Sequence, residues 1–422
     1  MSRPSLCLQS ALLALATSLL LFSCTHYTNE RDVKILSVSM APDEVAIWRE
    51  ISKEFERTNP DVRINVTEAP QASDARETLY TTSLLAGEPT HDLLYLDIVW
   101  TPKFAAAGWL LEINDLLSAA EWQDYLPGGL SASTYRDHIY RLPIRSDTGL
   151  LYYRKDLLAE AGLAPPETFS QMIEIARRLQ APPRLWGYVW QGKQYEGLVC
   201  NFLEVLVGMG GYWIDSHTGN VGLDGPEAHA ALNFLHDAVL VHQISPPGVT
   251  TYQEEEGRRL FQQGGAIFHR NWPYAWKLFQ SEDSPVKGRV GVQPMVHAYG
   301  AHSAATQGGW GLAISRFSRY PEEARRFLRY TAQAEVQKRL ILAKGFVPSR
   351  HSLFHDEEIL ETFPLYRDLY TIEQAGVPRP PVPQYAVVSD ILQRYVSAAI
   401  SDRLTVNEAL KQATRETTKI LR

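Results

Sequence analysis

From Lys34 onward, apolar residues first recur at every second position over Lys34–Met40 (KILSVSM) and then at helical spacing as Val45, Trp48, Ile51 and Phe55. The first spacing predicts a half-buried strand and the second a helix, opened by Pro42-Asp43 and stopped by Asn59-Pro60-Asp61. Val62–Thr67 alternates again as a strand. Ser73-Asp74 caps a second helix that closes near Gly87-Glu88-Pro89, and the apolar run Leu93–Leu96 reads as a buried strand. Strand, helix, strand, helix, strand at this spacing predicts a parallel α/β sheet.

The pattern then changes hands. Leu142–Asp147 predicts a crossing into a second lobe, where Leu150–Tyr153 is a strand and Lys155-Asp156 opens a helix ending near Gly162. Further helices are predicted from Glu196 through Val207, up to the Gly208–Gly211 break, over Ala228–His242 and over Gln253–Gln263, whose Glu254-Glu255-Glu256 run reads as a solvated face. Arg289–Met295 is a strand crossing back, Trp310–Ile314 a short strand, and Pro321–Thr331 a helix with proline at its first position. From His351 to Arg422 the chain is mostly helical apart from the proline-rich loop Val377–Pro383. Two α/β lobes are expected, 33–146 with 297–348 and 147–296 with 349–422. More than one crossover sets any ligand between lobes that can hinge.

The first 24 residues stand apart from this pattern. Arg3 is the only basic residue ahead of an apolar stretch from Leu6 to Phe22, about the length of a signal-peptide core. Leu21-Phe22-Ser23-Cys24, followed by a polar run, resembles the lipobox of bacterial lipoproteins. That resemblance implies a signal peptide over 1–23, lipidation of Cys24, a lipid-anchored tether over 24–32, and a body held outside the cytoplasm on the periplasmic side. The alternative is an uncleaved N-terminal anchor helix. Of three cysteines, only Cys200 then remains in the body, so no internal disulfide is expected. A net charge of −7 argues against nucleic acid as a partner. No histidine or cysteine spacing suggests a metal, and no cofactor is expected.

In open α/β sheets, ligands sit beyond the carboxyl ends of the strands. Glu44 follows strand one, Arg76 lies in the first turn after strand two, and Asp97 ends strand three. An acid in a first helical turn suits the macrodipole, whereas a cation there is disfavoured by up to about 1 kcal/mol. Arg76 therefore reads as a hydrogen-bonding fork over the crevice, or else as a solvated charge. Ten tryptophans and twenty tyrosines are many for 422 residues. The sharpest aromatic stretches are Arg270-Asn271-Trp272-Pro273-Tyr274 and Gly308-Gly309-Trp310-Gly311. A sugar suits such parts: its C–H faces lie on rings, and ionised side chains hold its hydroxyls. Core aromatics are the alternative for Trp272, Tyr274 and Trp310.

Four longer words tie these residues to a family. They are Asp97-Ile98-Val99-Trp100 with Phe104–Leu110; Gly149–Leu157; Gly264-Gly265-Ala266 through Tyr274; and Gly308–Gly311. In this order and spacing the mature chain is similar to the extracellular solute-binding proteins that feed ABC sugar importers, above all the trehalose/maltose-binding branch and its relatives for sucrose and glucosylglycerol. The resemblance implies an α/β, two-lobed periplasmic-binding-protein fold, type II-like, each lobe a mostly parallel sheet flanked by helices around an interlobe ligand cleft. It implies a monomeric lipoprotein with a small neutral sugar and ABC permease subunits as partners. The family's sugar-contacting positions fall on Glu44, Arg76, Asp97, Asp147, Trp272, Tyr274, Gly309, Trp310 and Arg379. A glycoside hydrolase using two of the carboxylates, and a sugar-sensing module of a signalling receptor, are the rival readings. The hydrolase is disfavoured because Arg76 is expected to keep nearby carboxylates ionised, whereas a general acid needs the opposite shift.

Overall fold

The computed structural model describes residues 33–215 and 217–422; the expected signal peptide, Cys24 and the tether lie outside the described residues. Strand β1 (Lys34–Met40) and strand β2 (Val62–Glu68) pair in parallel, joined by helix α1 (Val45–Thr58). Helix α1 buries Val45, Trp48, Ile51 and Phe55, the stripe that a 3.6-residue repeat places on one face, against Leu36, Val38, Tyr95 and Phe327. Helix α2 (Ser73–Leu85) leads to β3 (Leu93–Asp97), buried at every position. No described helix is long and apolar enough to cross a membrane.

The chain leaves this first lobe through β4 (Leu142–Thr148) and enters the second through β5 (Leu150–Arg154). The second sheet is completed by β6 (Trp186–Val189), β7 (Ala266–Asn271) and β8 (Val290–Gln293), in the order β8-β5-β7-β6. Its central helix, α3 (Glu196–Gly208), is buried on nearly every side, as its lack of a polar face requires. Helices over Pro226–Leu240 and Tyr385–Ile400 pack against it, and the helix Val406–Leu421 packs on those two. The last is started by a capping box, Thr405 accepting from the Glu408 N–H while Glu408 accepts from Thr405.

The returning strand β9 (Ala305–Ile314) runs through the boundary. It pairs antiparallel with both β3 and β4 and parallel with the short β10 (Gly376–Val377). The sheets are thus mixed where mostly parallel ones were expected: β4 carries the chain out of the first lobe and β9 brings it back, so the two must run in opposite directions. In the second sheet, β5 is likewise antiparallel to both neighbours, and only β6 and β7 run in parallel.

Candidate functional site

The register of β9 sets side by side residues distant in sequence. Trp310 is opposite Asp97 on β3 and Arg145 on β4, and Gly308 is opposite Asp147. The backbone bulges between Trp310 and Gly311, and Gly309 has φ +139°, a left-handed conformation that favours glycine. A Cβ at Gly309 would come within 2.7 Å of the Arg145 carbonyl oxygen. Gly309→Ala is therefore expected to lower folding stability by about 1–3 kcal/mol, measurable by chemical denaturation.

These strands form one wall of a cavity of about 490 Å³ between the lobes, and all nine residues singled out from the sequence line it. On the first lobe, Glu44 is the residue just ahead of α1, buried and accepting from the Trp48 indole N–H at 3.3 Å. Arg76 is only 1% exposed. Its Nε and one Nη donate to the Pro70 carbonyl at 3.1 and 2.9 Å, and its guanidinium lies 4.5 Å from the centre of the Trp310 ring. The other Nη has no partner in the protein. Trp310 itself is half-buried against Tyr95 and Trp100. The solvated-charge reading of Arg76 fails, because a buried fork with a free donor is held there at a cost only a ligand or water can offset.

Asp97 accepts from the Ser73 hydroxyl at 2.8 Å and from an Arg379 Nη at 2.9 Å. Asp147 pairs with Arg145 at 3.2 Å, and Arg145 also approaches Glu44 at 3.5 Å. Burial pushes the Asp147 carboxyl up to about 6, outweighing the pull of Arg145. Its Oδ1 has no protein partner. From the second lobe, Trp272 at the end of β7 lies under the Arg270 guanidinium, 4.0 Å from its ring centre. It reaches across to Gly308, where an added Cβ would sit 3.1 Å from the indole. The Tyr274 hydroxyl donates to Glu255 at 2.9 Å.

Sequence reasoning missed several lining residues. Arg145, Tyr195, Glu196 and Arg258 face the cavity, as do Glu254 and Glu255, which were expected on a solvated face. Of that glutamate run only Glu256 is exposed. The helix Glu254–Gln262 begins at the cavity edge, so its first two residues turn inward. The signal was present in the helical period: Gly257, Arg258 and Phe261 are buried on the same side.

The family model described as bacterial extracellular solute-binding protein matches residues 41–338. A probable ABC transporter-binding protein of Deinococcus radiodurans is 34% identical over 82% of this chain and 84% of its own. A maltotriose-binding protein of Pyrococcus abyssi is 25% identical over 76% of this chain and 67% of its own. Among solved structures, the maltose-bound MalE3 protein of T. maritima superimposes with a TM-score of 0.88 at 37% identity, covering 92% of this chain and all of that one.

Proposed function

We infer the function from one premise: the chain belongs to the bacterial extracellular solute-binding protein family. It is a binding protein, not an enzyme, and it works outside the cytoplasm as the solute-binding component of an ABC sugar importer. We propose that its ligand is a disaccharide-sized glycoside, of the trehalose, maltose and sucrose class or glucosylglycerol, which it passes to the permease subunits. The observation that carries this reading is the convergence of nine residues on one cavity of about 490 Å³, a volume within the usual range for small-ligand sites. Trp310 and Trp272 offer ring faces from opposite lobes. Arg76, Asp97, Asp147 and Glu44 offer buried hydrogen-bonding groups suited to hydroxyls, with unpartnered atoms on Arg76 and Asp147. A guanidinium lies beside each of Glu44, Asp97 and Asp147. Those ion pairs suit charged acceptors that hold sugar hydroxyls in the ground state. Anchoring through lipidated Cys24 and a monomeric state complete the proposal.

A panel of trehalose, maltose, sucrose and glucosylglycerol, read by thermal shift and calorimetry, tests it. One of the four, at 100 times its dissociation constant, is expected to add about 2.7 kcal/mol of stability. Silence from all four, with a monosaccharide or polyol binding instead, would overturn the disaccharide reading.

A further inference from the structure

The strands that wall the sugar cavity have a second face. Side chains alternate across a strand. On β4, Asp147 lines the sugar cavity, while its neighbours Ser146 and Thr148 donate to Glu373 on the far side. On β9, Gln307 stands opposite Thr148, and Gly308, one position on, returns to the sugar side. Gln307 and Glu373 line a separate cavity of about 540 Å³, again within the range of small-ligand sites. The short helix Pro127–Ser131 and the segment 378–381 form its other walls.

This cavity differs in character from the first. Ile98, Val99, Leu126, Pro102, Pro127 and Pro380 give it aliphatic sides. Among the described residues, no Phe, Tyr or Trp ring lines it, so it lacks the stacking faces that Trp272 and Trp310 offer a sugar. Neither of its strongly ionising groups is a free charge. Arg379, 6% exposed, borders both cavities, and its two Nη groups donate to Asp97 at 2.9 Å and to Glu196 at 2.7 Å. Burial pushes the Glu373 carboxyl up to about 8, which leaves it protonated near neutral pH. His351 is tied through Nδ1 to the Tyr370 hydroxyl at 2.9 Å. Gln307 is the exception. It too is 6% exposed, yet its side-chain amide meets no hydrogen-bond partner among the described residues. Gly128 makes room for it, since a Cβ there would run into the amide. A buried amide with donor and acceptor both uncommitted calls for a partner that supplies the complement of each.

We propose that the cavity behind β4 and β9 is a second ligand site, for a small uncharged molecule with an aliphatic body and an amide group. The ligand's carbonyl accepts from the Gln307 Nε2, and its N–H donates to the Oε1. The site is distinct from the sugar cavity and does not depend on which sugar that cavity takes. N-acetylleucinamide is a suitable probe, and N-acetylleucine, with the same body but a carboxylate, is its matched control. Calorimetry on the full chain is expected to show saturable binding of the amide and at least tenfold weaker binding of the acid. Gln307→Leu should weaken the amide about tenfold, because the apolar side chain offers neither bond. The same variant should melt no lower than wild type, since it loses a buried polar group that nothing in the fold satisfies. Ser131→Trp, at an exposed position on the rim, should abolish binding by filling the entrance without touching the core. No saturable binding of N-acetylleucinamide up to its solubility limit would overturn the proposal. So would equal binding of the acid, binding that survives both substitutions, or a lowered melting temperature of Gln307→Leu, which would mark the amide as a structural group.

Discussion

Replacing Arg270 by methionine is expected to lower folding stability by about 3–5 kcal/mol, the usual cost of removing one partner from a buried ion pair. Arg270 and Glu204 are fully buried, and Arg270 Nε donates to Glu204 at 2.8 Å beside a second contact through Nη. Glu204 also accepts the Thr306 backbone N–H at 3.1 Å, so the pair ties α3 of the second lobe to the returning strand β9. Without the guanidinium, the Glu204 carboxylate is left in an interior with no cation to offset its desolvation. The same change strips the charged group from the ring of Trp272, so sugar affinity should fall in parallel. The pair also explains Gly149, where any side chain would run into both Glu204 and Arg270. Urea denaturation of Arg270→Met, Glu204→Met and the double variant separates ion pairing from packing. The double variant should lose clearly less than the sum of the singles, because neither charge is then stranded. Strict additivity would mean that the two residues act only as space-fillers.

How much of this was visible beforehand follows from the range of each interaction. Strand β1 is found at the predicted Lys34–Met40, and the buried stripe of α1 consists of the residues the helical repeat selected. Both features depend on neighbours within four positions, which a linear reading captures. Glu44, Arg76 and Asp97 could be placed at the ends of their strands because the winding of an α/β sheet fixes which end is open. The antiparallel insertion of β9 was not legible: nothing local in Ala305–Ile314 states that Trp310 pairs with Asp97 more than two hundred residues upstream. The roles of Arg145 and Glu196 were hidden for the same reason. Each is a charged residue in ordinary local sequence, defined only by partners that the fold delivers. Glu254 and Glu255 were misread because a run of acids in a first helical turn is usually solvated, and only the cavity beside this helix makes it otherwise. The committed Nη groups of Arg379 are the sharpest instance, since resemblance can locate a side chain at the boundary without revealing that Asp97 and Glu196 already hold it.

A second large effect is expected to appear as a pH dependence with an unusual sign. Glu373 lies behind β4, accepting from the Ser146 hydroxyl at 2.6 Å and the Thr148 hydroxyl at 2.7 Å. These residues alternate along the strand with Asp147, so β4 turns one face to the sugar cavity and the other to this acid. Burial with no cation beside it pushes the Glu373 carboxyl up from 4.5 to about 8, and Asp147 adds repulsion. In the unfolded chain the group loses its proton near the lower value, in the folded chain near the higher. The stability it contributes is therefore fully present below pH 4.5 and drains away as pH rises through 8. At about 1.4 kcal/mol per pH unit, this loss is on the order of 3–5 kcal/mol across the window. Glutamine at this position keeps a donor and an acceptor for the two hydroxyls but carries no proton to lose. Glu373→Gln should match wild type within about 1 kcal/mol at pH 5 and exceed it by about 3 kcal/mol at pH 8.5. Asp147, pushed up to about 6 in both proteins, contributes with the same sign and largely cancels in the comparison. Denaturant titrations at the two pH values measure the difference directly. A constant gap between the two proteins would show that Glu373 is ionised in the native state, held by hydroxyl donors strong enough to overcome its burial.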